Sequence, residues 1–341
     1  MAEDKVLLDH GSGGKISHSM VSDLILPLFD NPALAMLDDG ATLDITSEQI
    51  AFSTDTYVVE PIFFPGGNIG DLAVNGTVND VAMCGATPLY MSVGLILEEG
   101  LPIKDLKKIL TTMADAAKKA GINIVTGDTK VVPKGKADKI FINTSGVGIL
   151  PDNVNVTGAN AQPGDKIIIS GTIADHGITV LSAREDLKME SDIKTDSAPL
   201  NHMVKAIIDS GNDINVLRDP TRGGLGTTLN EIAAQSNVEI RLKENAIPIK
   251  GAVAGMCELL GFDPLYIANE GKLIAFAPSE HAERILEIIK KDEFGKDACI
   301  IGEVMPGDSN PEGKGKVFME TLIGGTRIVD MLTGEQLPRI C

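Results

Sequence analysis

The strongest constraint on this chain is a unit that it spells twice: an apolar helix, a glycine that ends it, a short run, then an acid and a lysine. The first copy, "LPIKDLKKILTTMADAAKKAG", puts Ile103, Leu106, Leu110, Met113, Ala117 and Ala120 on one face, with Pro102 near its start and Gly121 after it. It runs into "INIVTGDTK", a short β-branched strand whose end carries Gly127, Asp128, Thr129 and Lys130. The second copy, "IKGAVAGMCELLGFDPLYIANEGK", has the same plan and ends in Asn269, Glu270, Gly271 and Lys272. Setting "VTGDTK" over "IANEGK" pairs Asp128 with Glu270 and Lys130 with Lys272. The match is short, and it is either chance or the record of two related halves, each of which then delivers an acid and a lysine at the same strand end.

Between the copies lies "LPDNVNVTGANAQPGD", polar and turn-rich, with Pro151, Gly158, Pro163 and Gly164. The expected architecture is therefore two α/β domains, residues 1–155 and 156–331, followed by a tail, 332–341. The full 341 residues are enough for two cores. The tail, "LTGEQLPRIC", has Gly334, Pro338 and no helical apolar face, so it reads as a mobile extended segment. Ten such residues span roughly 30 Å.

Hydrophobic residues at 43% and charged residues at 23% are those of a soluble globular protein. The N-terminus is charged from its third residue, and there is no apolar run of about 18 residues, so a cytoplasmic protein without a membrane segment is expected. A net charge of −18 leaves no basic stripe for nucleic acid. Such a chain still binds a nucleotide where metal ions neutralise the phosphates and the local carboxylates. The cysteines at 84, 257, 299 and 341 form no CxxC or other short spacing, which excludes a disulfide framework or a cysteine zinc cluster. Cys84 and Cys257 sit in apolar helical patterns and are expected in the core. Cys341, the last residue, has no such setting.

The common nucleotide and hydrolase motifs are absent: no GxxxxGK[ST], no GxGxxG after a strand, no HExxH and no GxSxG. What the chain offers instead is aspartates at turns and strand ends: Asp38 and Asp39 in "LDDGATLD", Asp55 in "IAFSTDTYVV", Asp80, Asp128 and Asp219. Singly, each is a turn or cap residue. Asp80 differs, because "GDLAVNGTVNDVAMCGA" is a mostly apolar helix interrupted by Asn75, Asn79 and Asp80. Burying such groups without partners costs about 1 to 3 kcal/mol each, so something must bind them. Aspartates gathered from several strand ends suit Mg²⁺, and with it ATP. "DHGSGGKISHSM" adds Gly11, Gly13, Gly14 and Lys15, either a flexible leader to a helix starting near Ser17 or backbone amides and a point charge for phosphates.

Taken in order, "HGSGGK", "DDGA", "STDTYVVEPIFFPGGNIGDLAVNGTVNDVAMCGATP", "TGDTKVV", "RDPTRGGLGTTLNEIA", "NEGKL" and the terminal "PRIC" resemble the HypE family of hydrogenase maturation proteins. That family lies within the ATP-binding superfamily of aminoimidazole ribonucleotide synthetase and selenophosphate synthetase, and the resemblance covers essentially the whole chain. It implies two α/β domains, with N-terminal-domain strands pairing in a homodimer to form a β-barrel-like interface and ATP near it. By motif position it implies that Asp39, Asp55, Asp80 and Asp219 serve Mg²⁺ and phosphate. The nucleotide would meet Gly127 and Asp128, together with Asp55, Asn79 and the Gly11 to Lys15 stretch.

The resemblance further implies chemistry at Cys341. The carbamoyltransferase HypF loads its thiol, ATP drives dehydration of the thiocarboxamide to a thiocyanate, and the cyano group passes to iron on a HypC and HypD complex. Glu270 falls at the expected base and Lys130 at a charge-stabilising or proton-handling position. The bland alternative for Glu270 is a surface pair with Lys272. Two rival functions stand beside this one: a selenophosphate synthetase or other small-molecule phosphotransferase, and a non-catalytic ATP-binding thiol carrier. "GSGGK" lacks the cysteine that selenium chemistry needs.

Overall fold

In a computed structural model, residues 5–11, 19–29, 31–32, 49–152, 154–184, 192–307, 315–332 and 337–341 are described. Gly13, Gly14, Lys15, Asp38, Asp39, Gly334 and the expected helix start near Ser17 lie outside them. Gly11 closes a 3-10 turn, Leu8–Gly11.

The first sheet comes from β1 (Ile50–Tyr57), β4 (Thr87–Glu98), β5 (Asn123–Val132) and β6 (Ile140–Ile149), in the order β1-β6-β4-β5. A small hairpin, β2 (Phe63–Phe64) with β3 (Gly67–Asn68), precedes the first long helix. Along β1, Ala51 and Tyr57 point inward and Ile50 and Phe52 outward, the period of a sheet covered on one side. The cover is α1 (Ile69–Met83) and α2 (Ile103–Ala120), whose apolar side chains share a core with Tyr57, Met91, Leu95 and Ile142.

Helix α1 starts in a capping box. The Asn68 side chain accepts from Gly70 N at 2.8 Å, and Asp71 accepts from Asn68 N at 2.7 Å. A Cβ on Gly70 would lie 2.3 Å from the Ile109 carbonyl oxygen, so this glycine lets α1 press against α2. Helix α2 keeps the expected face: Leu106, Leu110, Met113, Ala117 and Ala120 are buried, and Gly121 caps it at φ 73°.

The second sheet has the order β13-β12-β9-β11-β7-β10-β8. Its strands are β7 (Lys166–Ile169), β8 (Val216–Arg218), β9 (Val238–Lys243), β10 (Ile274–Ala277), β11 (Cys299–Pro306), β12 (Lys316–Glu320) and β13 (Thr326–Val329). Helices α3 (Asp175–Ser182), α4 (Asn201–Asp209), α5 (Gly224–Ser236), α6 (Gly251–Leu260) and α7 (Ser279–Lys291) accompany it. The cores are not confined to their own sheets. Ile178 and Val180 of α3 and Val253 and Cys257 of α6 join the core of α1 and α2, while Ala82 and Met83 at the end of α1 join Leu217 and Ala275.

Three expectations are corrected. First, "TGDTK" does not end a strand: β5 runs on to Val132, because its β-branched residues keep pairing in parallel with β4 as far as Glu98. Second, no strand precedes "NEGK". After α6 and its Gly261 cap, Asp263 accepts from Leu265 N at 3.0 Å and starts a 3-10 turn with Pro264 inside it, and proline cannot donate to a ladder. The helix and glycine of the repeat are therefore shared, and the strand is not. Third, Cys84 is exposed, while Cys257 is buried. Helix α1 stops at Met83 with Cys84 as its C-cap, and Gly85 turns away at φ 80°.

Candidate active site

Helix α1 delivers its polar residues to the junction of the two sheets. Asn79, 1% exposed, donates to Ala198 O at 3.0 Å and accepts from Leu200 N at 2.8 Å. Its carboxamide thus holds segment 198–200. Asn75 does similar work through Ser197 Oγ at 3.0 Å. Asp80, next along the helix, instead faces β1, where Ser53 Oγ donates to its Oδ2 at 2.8 Å.

Asp80 belongs to an acidic group with Asp55 on β1, Asp219 after β8 and Glu270 before β10. Burial, with Asp55 adding to it, pushes Asp80 up to about 6 despite Ser53, Arg218 and Arg222. Burial and the charge of Asp80 push Asp219 up to about 7. Glu270 is 4% exposed, and its Oε1 has no hydrogen-bond partner. Burial first, then Asp219, Asp196, Asp55 and Asp80, raise it well above the usual carboxylate range. Among the described residues no three acids converge at metal-ligating geometry, and Asp39 lies outside those residues.

A cleft of about 540 Å³ opens beside this group, lined by Asp80, Cys84, Asp219 and Arg222 with the Arg218 and Glu231 pair, which meet at 2.7 Å. Arg222 makes no salt bridge among the described residues, so its charge faces the cleft and lowers Asp80. The mutual repulsion that raises Asp80 and Asp219 is what a hard divalent cation would relieve. The donors suit such an ion in chemistry, and among the described residues they are not gathered to ligating distance.

Lys272 does not pair with Glu270. Its ammonium lies 3.2 Å from Asp196 Oδ2, both groups buried, and Glu270 N donates to Asp196 Oδ1 at 3.2 Å. A Cβ on Gly271 would sit 1.7 Å from Asp196 O, so only glycine lets the two segments touch. Asn269 fixes the approach, accepting from Ala174 N at 2.7 Å and donating to Pro220 O at 2.9 Å.

Asp128 and Lys130 lie elsewhere. Lys130 pairs with Asp128 at 3.0 Å, and both side chains are about two-thirds exposed. Through the pairs Asp128 with Gly94, Gly94 with Asn143 and Asn143 with Thr56, they share the outer sheet face with Thr56, whereas Asp55 points to the opposite face. Strands β6 and β4 intervene, a separation of roughly 14 Å at the usual spacing. Within one chain the structure gathers Asp55, Asp80, Asp219 and Glu270, and leaves Asp128 and Lys130 outside. Gly127 sits across from Val93 on the edge strand.

The tail comes to the end of β1. Where a free extended segment was expected, its last five residues, 337–341, are docked. Val58 N, just past β1, donates to Cys341 O at 3.0 Å, and Glu60 N donates to Arg339 O at 3.1 Å. Leu337 and Ile340 are buried, and His176 Nε2 lies 2.8 Å from Ile340 O. Leu337 and Ile340 join Tyr57 in the core of α1 and α2, and Cys341 packs against it, so the tail ends where β1 ends. Asp196 and His176 carried no visible signal in the sequence. One stands in the polar run "IKTDSAPL" and the other is one of five scattered histidines.

The two sheets with their shared core belong to the AIR synthase-related class. Models of the N-terminal and C-terminal domains of AIR synthase related protein match residues 37–150 and 162–311. Within that class the chain belongs to the HypE family. It is 50% identical over 332 residues to "Carbamoyl dehydratase HypE" of Azotobacter vinelandii, covering 97% of this chain and 96% of the relative. It superposes on a crystal structure of hydrogenase maturation protein HypE in complex with ATP with a TM-score of 0.94 and 53% identity, covering 98% of this chain and 99% of that one. A HypE chain from a HypE-HypF complex gives a TM-score of 0.79 and 49% identity, covering 92% and 99%.

Proposed function

We propose that this protein is an ATP-dependent carbamoyl dehydratase of [NiFe]-hydrogenase maturation, which converts S-carbamoyl Cys341 to the thiocyanate. The observation that carries this reading is the docking of the terminal cysteine just past the end of β1, the strand that also bears Asp55 of the acidic group. Family membership and the ATP-complexed relative support it.

The reaction removes water: the C–O bond breaks, both N–H protons leave, and S–C≡N remains. ATP, bound in the cleft, supplies the phosphoryl group that turns a poor oxygen leaving group into a good one. Asp55, Asp80 and Asp219, with Asp39, would hold Mg²⁺, whose charge offsets the phosphates. Arg222 adds a fixed positive charge to the cleft. Glu270 takes a proton from nitrogen through its unpartnered Oε1. Its buried position holds that oxygen away from bulk water, and neutralising the neighbouring aspartates removes the repulsion that otherwise keeps it protonated.

We assign the outer sheet face, with Phe52 65% exposed and Ile50 and Ile96 also uncovered, to a homodimer interface. There Lys130 and Asp128 face a second copy, which gives Lys130 a route to a site that its own chain denies it. HypF loads Cys341, as the HypE-HypF complex suggests, and HypC with HypD receives the cyanide. These steps are placed in the cytoplasm. Among the described residues no helix is long and apolar enough to cross a membrane.

Mass spectrometry of the C-terminal peptide tests the reaction. After carbamoylation, ATP should cause loss of one water from Cys341. An unchanged peptide with ATP bound would leave the thiol-carrier reading in place, and phosphorylation of an external small molecule would favour a phosphotransferase.

A further inference from the structure

We propose that His176 positions the reacting cysteine: its buried imidazole latches the carbonyl one residue before Cys341 and holds the loaded thiol in register with the site. The inference rests on the dehydratase reading above for its chemical consequence, but the latch itself is independent of it.

The hydrogen bonds fix the ring's state. A carbonyl oxygen only accepts, so at 2.8 Å from Ile340 O the Nε2 atom carries the hydrogen. At 2.7 Å from Nδ1 stands Thr195 Oγ1, which already accepts from Ser197 N at 3.1 Å and so has its own hydrogen to give. The chain of donors runs from Ser197 N–H through Thr195 O–H to Nδ1, and from Nε2–H to the tail. Burial lowers the ring's pKa, and with it this arrangement is a neutral imidazole in one tautomer. Phe64 packs edge-on against the ring at 5.6 Å and limits its rotation.

The other tail contacts differ in kind. Val58 and Glu60 pair with the tail through backbone amides, which hold any sequence. Arg339 reaches Asp138 at 2.5 Å with both side chains more than one-third exposed, a contact that solvent weakens. Arg184 binds the carbonyls of Pro338 and Arg339, further from the thiol. His176 is completely buried and bonds the residue adjoining Cys341, so it acts where a small displacement matters most.

A single neutral hydrogen bond also suits a tail that must leave to be loaded. It biases docking without locking it, and its loss should change the docked population on the order of tenfold.

The test uses the full-length protein as wild type, His176→Ala, His176→Gln and Thr195→Val. Three quantities are read: single-turnover water loss from carbamoylated Cys341 with ATP, alkylation of unmodified Cys341 by iodoacetamide relative to exposed Cys84 in the same molecule, and the Kd for ATP. His176→Ala should slow water loss and speed Cys341 alkylation by similar factors, on the order of tenfold, with ATP affinity unchanged. His176→Gln keeps an N–H donor and should recover part of both. Thr195→Val, which leaves the ring but not its orientation, should shift both by less, and it decides the matter if the His176 variants do not fold. Slower water loss without faster alkylation, or no change in alkylation, overturns the latch. If wild type loses no water while the alkylation shifts appear, the dehydratase reading fails and the latch stands.

Discussion

"VTGDTK" and "IANEGK" align residue for residue, yet the fold makes them opposites. The first is mid-strand and exposed: Lys130 bonds Asp128 and holds its carboxyl below the usual range. The second is irregular and buried. Its lysine turns to Asp196, and its acid is left with an unpartnered oxygen and a raised pKa. An acid and a lysine two residues apart are therefore not a functional unit. Burial and third parties decide whether the pair neutralises itself in water or becomes a poised base.

The largest effect that tests this contrast is on chemistry. Glu270→Gln should keep the fold and ATP binding, and lower single-turnover dehydration by about 10²-fold or more, the loss expected for a general base. Wild-type rates in this variant would remove Glu270 from the mechanism.

Stability gives the next effect. Lys272→Met leaves the buried Asp196 carboxylate without its cation and should cost about 3 to 5 kcal/mol in urea unfolding. Lys130→Met breaks an exposed pair and should cost no more than about 1 kcal/mol. Equal losses would show that the two lysines do the same structural work.

The smallest effect is on pH dependence. Asp80, Asp219 and Glu270 have raised folded-state pKa values, so between the ordinary carboxylate range and about 7 the folded state binds more protons than the unfolded one. Their contribution to stability falls as pH rises through that window. Asp128 is lowered, so its contribution is present throughout the window and is lost only in stronger acid. Without divalent cations, Asp219→Asn should flatten the decline in Tm between about pH 5 and pH 7.5, and Asp128→Asn should leave it. Mg²⁺ should raise wild-type Tm more at the higher pH. A uniform rise would place the cation away from Asp80 and Asp219.

Much of the scaffold was legible. Helix α2 declared itself through its apolar spacing and its terminal glycine, and α1 through an apolar run whose asparagines had to find partners. The nature of those partners was not legible: Asn79 binds backbone from segment 198–200, about 120 residues away along the chain. Asp80 stood out because it broke the apolar pattern of its helix, while Asp55 and Asp219 joined it as a set through the family resemblance. Cys84 was misread because its apolar pattern continues while the helix stops one residue short.

The sequence by itself determined the elements whose signals are local: apolar spacing on a helix face and a glycine that caps the helix. It also carried the family motifs that named the chemistry. Only the tertiary structure decided which acid is buried with a raised pKa and which is paired in water, that Lys272 serves Asp196, and that Ile340 meets His176. Those outcomes depend on desolvation and on contacts between distant segments, and neither is a property of any short stretch of chain.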